Sequence, residues 1–297
     1  MRLIGKEDLL DVAKPSAPNW QSESDGATGF ARLDAAVFPY FAPGTVWLVG
    51  AGPGAPGLLT LLGYHALQQA DVVVYDALVN ADILKFVRPG AQMEYAGKRG
   101  GRPSSNQRDI SLRLVELAQS GKRVLRLKGG DPFIFGRGGE ECQQLAKAGI
   151  TFRIVPGISA GVGGLAYAGI PATHRDINHS VIFLTGHDST GGVPASVDWQ
   201  AVATASPVIV MYMAVKNLRD ISERLLEGGR NREDPVAVVS NATLPAQTVH
   251  ELTLGEILDG YDLKTLPTPA IVVFGAVSGM RENLDWYAGL LRENSLG

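Results

Sequence analysis

From residue 45 onward, short β-branched and aromatic runs alternate with stretches whose apolar positions recur every three or four residues. VWLV (46–49), VVVY (72–75), VLRL (124–127) and FRIV (152–155) predict strands. Between them, LLTLLGYHALQQA (58–70), SLRLVELAQ (111–119) and EECQQLAKA (140–148) predict helices. After a break at AGIPATHRD (168–176) the alternation resumes with VIFLT (181–185), PVIVMYM (207–213), PVAVVS (235–240) and AIVVFG (270–275). LRDISERLLEG (218–228) is a further helix. Strand–helix alternation predicts an α/β fold of mostly parallel sheets with helices on their faces. The break divides the chain into an N-terminal α/β domain over 45–173 and a C-terminal one over 178–290. Residues 1–44 lie outside this pattern. Their run PSAPNWQSESDGATG (15–29) is polar and turn-rich, which predicts a flexible or partner-docking arm.

Composition narrows the function classes. The 297 residues are 45% hydrophobic and 19% charged, enough for a sizeable core. A net charge of −3 argues against a nucleic-acid-coating protein. No apolar stretch reaches the length of a membrane span, and no secretory pattern opens the chain, so a cytoplasmic location is expected. Cys142 is the sole cysteine, which excludes an intramolecular disulfide and predicts a small packed side chain. The five histidines show no metal-ligand spacing, so no metal is expected.

Candidate chemistry sits in loops that leave strands. GAGPGAPG (50–57) follows the first strand, and glycine there lets backbone approach a ligand. Gly50, Gly52 and Ala55 partly match a dinucleotide fingerprint, but Pro53 removes a donor from the loop that would cradle a pyrophosphate. A nicotinamide site and a plain tight turn both remain open at this point. Between Lys98 and Arg137 basic residues outnumber acids, and Lys98, Arg99, Arg102 and Arg137 lie beside glycines, where a cation can meet a polyanionic ligand. RNA would need aromatic interleaving that this stretch lacks.

The run RLKGGDPFIFGRGGEE (126–141) joins a strand to a helix. With VGAGPGAPGLLTL (49–61), ADVVVYDALV (70–79), AGKRGG (96–101), VPGISA (155–160), AYAGIPATHR (166–175), TGH (185–187) and VMYM (210–213), it resembles the tetrapyrrole methylase family over residues 45 to 290. Within the family the likeness is to members acting on uroporphyrinogen III. It implies two α/β domains with the active site in the cleft between them, a homodimer, and S-adenosylmethionine as methyl donor. The implied reaction is C-methylation at positions 2 and 7, through precorrin-1 to precorrin-2, feeding cobalamin, sirohaem or d-type haem. A later corrinoid precursor is the alternative substrate. Neither nucleic acid nor membrane is an implied partner, and the chain is expected to methylate only, without a dehydrogenase–ferrochelatase module.

Carried over by motif, the cofactor contacts are Pro53, Gly129, Gly130, Asp131, Ile134, Ser159, Ala160, Met213 and Ala242. Asp131 is expected at the cofactor's polar end. Asp76 and Lys98 match a proton acceptor and donor, and Glu140 is a second candidate base. Arg99, Arg137 and Arg175 are expected to hold the tetrapyrrole. Three positions depart from the family pattern: Ala55 stands for an aspartate, SNAT (240–243) for ENGT, and Ser159 for a threonine.

Overall fold

The structure is a computed structural model that describes residues 38–97 and 107–287. The 1–37 part of the expected arm lies outside the described residues. Five strands form the first sheet: β1 (Val46–Gly50), β2 (Val72–Tyr75), β3 (Gln92–Tyr95), β4 (Val124–Lys128) and β5 (Phe152–Val155). Their order is β3-β2-β4-β1-β5, and every pairing is parallel. Strands β1 and β2 read as unbroken apolar runs because both faces are covered. Trp47 and Val49 pack on one side with Ala66 and Leu67 of α1 (Leu61–Gln69). Val46 and Leu48 point to the other side, against Leu114 of α3 (Gln107–Gln119) and Leu145 of α4 (Gly138–Lys147). A short α2 (Ala81–Leu84) precedes β3. Thr60 ends the turn before α1 by accepting the Gly63 N–H at 3.0 Å, so the helix begins later than its apolar run suggests.

The second sheet holds β6 (Val181–Thr185), β7 (Val208–Tyr212), β8 (Pro235–Ser240), β9 (Thr248–Thr253) and β10 (Ala270–Phe274), in the order β6-β7-β10-β8-β9. Only β6–β7 is parallel; β7–β10, β10–β8 and β8–β9 are antiparallel. The expectation of mostly parallel pairing therefore holds for the first sheet and not the second. For β8–β9 the physical reason is the connection at 241–247, which is too short for a helical crossover and folds the two strands into a hairpin; β10 then enters between β7 and β8 in reverse. One face of this sheet packs on α6 (Trp199–Ala205), α7 (Leu218–Glu227) and α8 (Leu254–Leu258), through Trp199, Ile221, Leu225 and Ile257.

The other face receives α5 (Ala160–Tyr167), which follows β5 of the first sheet. Leu165 and Ala168 pack with Val208, Val210, Val239 and Ile271. One helix thus ties the two sheets together, and the loops leaving β1, β4, β5, β7 and β8 come to the same place. A final turn, α9 (Arg281–Leu284), leads to Trp286 and Tyr287, whose rings contact Tyr167 at the end of α5. Among the described residues no helix is long and apolar enough to cross a membrane.

Candidate active site

The site begins with backbone packed against backbone. At the carboxyl ends of β1 and β4, Gly52 N–H donates to the Gly130 carbonyl at 3.1 Å and Gly130 N–H returns a bond to Gly52 at 2.8 Å. Gly50 lies so close to the segment after β5 that a Cβ would stand 2.5 Å from the Gly157 Cα. Only glycine admits such an approach. Asp131 fastens the loop after β4. Its Oδ1 accepts the Phe133 N–H at 2.8 Å and its Oδ2 accepts the Gly157 N–H at 3.0 Å.

Backbone strain collects in the same region. Among the described residues, non-glycine positive φ angles occur at Phe135 (52°), Arg137 (61°), Met213 (54°), Asn241 (49°) and Thr243 (68°). All five lie in the loops after β4, β7 and β8. Such conformations cost on the order of 1–3 kcal/mol each and persist where surrounding structure enforces them.

These loops enclose a cavity of about 540 Å³. Its walls include Gly52, Pro53, Gly129, Gly130, Asp131, Ser159 and Ala160 from the first half, and Tyr212, Met213, Val239, Ala242 and Ile271 from the second. Leu78, Ile134, Phe135 and Met213 line it while remaining substantially exposed. Large apolar side chains held at a mouth in this way mark a surface built for a ligand. Tyr212 crosses between the halves: its hydroxyl lies 2.6 Å from Ser159 Oγ and accepts the Gly161 N–H at 3.0 Å. Burial pushes the phenol above its ordinary pKa, so it remains protonated.

Asp76, Arg126 and Lys128 border the cavity. The Asp76 carboxylate accepts the Leu78 N–H at 3.3 Å and the Gly129 N–H at 3.4 Å through Oδ1, and Arg126 Nη2 at 3.4 Å through Oδ2. Behind it, Glu141 is fully buried, and its Oε1 accepts Arg126 Nε and Lys128 Nζ, each at 3.2 Å. Burial, reinforced by the neighbouring Arg126 charge, lowers the Lys128 pKa. Burial likewise pushes the Cys142 thiol up to about 11, in keeping with a packed, unreactive cysteine.

The tetrapyrrole (corrin/porphyrin) methylase family model matches residues 45–258. The chain belongs to the tetrapyrrole methylase family. It is 61% identical to a uroporphyrinogen-III C-methyltransferase from Sinorhizobium sp. over 255 residues, covering 86% of this chain and 91% of the relative. It is also 49% identical to siroheme synthase 1 of Pectobacterium atrosepticum, over 86% of this chain but only 52% of that protein. The chain thus spans about half the length of such synthases. Among solved structures it is similar to a Thermus thermophilus uroporphyrin-III C-methyltransferase complexed with S-adenyl homocysteine. That match has a TM-score of 0.69 and 36% identity, and covers 78% of this chain and 98% of the other.

For a tetrapyrrole methylase, the placement of the expected residues is informative. Pro53, Gly129, Gly130, Asp131, Ile134, Ser159, Ala160, Met213 and Ala242 all border the one cavity, as do Asp76 and Arg137. Asp131 borders it with both carboxylate oxygens already bonded to backbone, so its visible work is to shape the loop. Glu140 does not border the cavity; it is exposed on the first turn of α4 and paired with Arg137 at 2.6 Å. Arg175 is exposed in the connection between the sheets and does not line the cavity either. Lys98 and Arg99 lie outside the described residues. Sequence reasoning overlooked Lys128, Arg126 and Tyr212 as lining residues. In VLRLK (124–128) two cations two residues apart occupy a strand whose every position is buried, and that burial is visible only in the structure.

Proposed function

We propose that this chain transfers methyl groups from S-adenosylmethionine to ring carbons of uroporphyrinogen III at positions 2 and 7, giving precorrin-2 through precorrin-1. The observation that carries the reading is the convergence on one cavity of nine residues from five loops, each at a position where the family pattern places a cofactor contact. The Thermus thermophilus relative, complexed with S-adenyl homocysteine, supports the same cofactor here. The residues present suit it. A Cβ built at Gly130 would have no neighbour nearer than 3.9 Å, the closest being Ala160 N and Ser159 Cα, so its absence leaves a hollow beside the start of α5. Pro53, Gly129, Gly130, Ser159 and Ala160 would hold the polar parts of the molecule, and Ile134, Met213 and Ala242 its apolar parts.

When bound, S-adenosylmethionine supplies an electrophilic methyl group on a sulfonium. The protein's own work is positioning, which can supply as much as about 7–11 kcal/mol of a barrier. Leu78, Phe135 and Met213 offer apolar walls to a macrocycle, and Arg137 offers its guanidinium at the mouth. Asp76 faces the cavity with its carboxylate fixed by two backbone N–H groups and Arg126, the arrangement of a group set to accept the proton a methylated ring carbon must lose. The chain acts as a homodimer in this reading, as in the family pattern.

The test is incubation of the purified protein with uroporphyrinogen III and isotopically labelled S-adenosylmethionine. Two labelled methyl groups per macrocycle are expected. A protein that leaves uroporphyrinogen III unlabelled, yet methylates a later corrinoid precursor, overturns the substrate assignment.

A further inference from the structure

The glycine loop after β1 is held from the opposite half of the molecule. The Ala55 N–H donates to Thr243 Oγ1 at 2.8 Å, joining residues 188 positions apart. Contact at this point is close: a Cβ on Gly54 would stand 2.9 Å from the same oxygen and 3.0 Å from the Ala242 carbonyl. Thr243 is buried at 2% exposure and left-handed at φ 68°. A β-branched residue in that region is an outlier, where glycine or asparagine would be at ease. Its neighbours enforce the conformation. Thr243 N–H donates to Gln247 Oε1 at 2.7 Å, and Gln247 Nε2 donates to the Tyr167 carbonyl at 3.0 Å. The Tyr287 hydroxyl donates to the Thr243 carbonyl at 3.4 Å. The path therefore runs from the end of α5, through the β8–β9 connection, to the loop carrying Pro53. Ala242 and Pro53, each one or two residues from the bond, both line the cavity.

We infer that Thr243, braced by Gln247, is a positioning residue: its hydroxyl bolts the glycine loop to the second sheet and so fixes the wall that receives the methyl donor. The inference rests on the cofactor reading above and adds to it the device that sets the pocket's width. Nothing about the fold of the hairpin itself requires a hydroxyl at 243; a glycine would satisfy the backbone better. What the hydroxyl alone provides is the acceptor for Ala55.

The test compares Thr243→Gly, which relieves the backbone but removes the acceptor, with Thr243→Ser, which keeps the acceptor. Thr243→Val is a third variant that retains the branched shape without the hydroxyl bond. Amide exchange at Ala55 is read in ligand-free protein, alongside thermal unfolding and calorimetric titration with S-adenosylhomocysteine. Thr243→Gly and Thr243→Val are expected to exchange Ala55 roughly tenfold faster and to bind about 3- to 10-fold more weakly, the span of one net hydrogen bond. Thr243→Ser should restore both. Unchanged Ala55 protection in whichever of the two hydroxyl-less variants folds would overturn the bolt, as would Thr243→Ser behaving like them. Failure of the unaltered protein to bind S-adenosylhomocysteine would sink the cofactor reading alone, with Ala55 exchange still deciding the bolt.

Discussion

Strands β2 and β4 carry a carboxylate–arginine cluster at each end, and the two clusters are built differently. At the amino ends, Asp71 receives three bonds from Arg123, namely N at 2.9 Å, Nε at 3.1 Å and Nη2 at 2.8 Å, with Arg88 Nη2 added at 2.7 Å. The pairing is short, bidentate and partly open to solvent. At the carboxyl ends, Asp76, Arg126, Glu141 and Lys128 meet at 3.2–3.4 Å around almost fully buried cations. The first cluster is not among the walls of the site cavity, while Asp76, Arg126 and Lys128 border it. Ligands of open parallel sheets gather at the carboxyl ends. Short, complete pairing at one end serves stability, and looser pairing of buried charge at the other keeps groups available to a ligand.

The sharpest way to separate the two ends is to remove the charge from each aspartate in turn. Asp76→Asn is expected to slow methyl transfer by about 10²–10⁴-fold, the usual contribution of a positioned base. Its cost in stability should stay near ~1 kcal/mol or less, because the link to Arg126 is long. Asp71→Asn should leave turnover unaltered. Steady-state rates measured beside urea unfolding distinguish the ends, and equal rates for both variants would erase the distinction.

Glu141→Ala probes the carboxyl-end cluster from behind. It removes the carboxylate that pairs with buried Lys128 and leaves Arg126 only its long link to Asp76, at about 3–5 kcal/mol of folding stability. Urea midpoints read the effect. A loss no larger than that of Asp71→Asn would show that burial does not set the two clusters apart.

How far each end could be foreseen follows from what surrounds it. β1, β2, β7, β8 and β10 are legible because burial on both faces leaves mostly apolar runs, and β4 because Val124, Leu125 and Leu127 outweigh its two buried cations. β3 (QMEY) and β9 (TVHELT) escaped notice since each is an edge strand with polar, partly exposed positions. The direction of β10 was equally hidden, because alternation of strands and helices does not say whether a strand enters between two others in reverse. α5, AGVGGLAY, has no amphipathic stripe to find. Its glycines exist for close packing: a Cβ on Gly161 would stand 2.3 Å from the Tyr212 hydroxyl, and one on Gly164 would stand 2.8 Å from Ala242 Cβ. In the site, the glycine loops announced themselves by composition and the family motifs located the nine cavity residues. Arg126 and Lys128 received no role from the sequence, because charge in a sequence carries no sign of burial. The left-handed backbone at Thr243 gave no signal, since the conformation is set by Gln247 and Tyr287 from distant or looped-back chain.

The amino-end cluster predicts the smallest effect, and one with a definite pH sign. Hydrogen bonds from Arg123 hold the Asp71 carboxyl well below the usual carboxylate range. A group whose folded pKa is depressed contributes its stability fully above the unfolded value near ~4, and loses it as pH falls from there through the folded value. The partly exposed pair is worth about 1 kcal/mol. Asp71→Asn should therefore lower the urea midpoint modestly at neutral pH and converge with the unaltered protein in acid. S-adenosylhomocysteine affinity should not change, because the cluster lies at the end of the sheet away from the cavity. A midpoint gap that widened on acidification would reverse the sign and remove Asp71 from the stabilising role that sets it apart from Asp76.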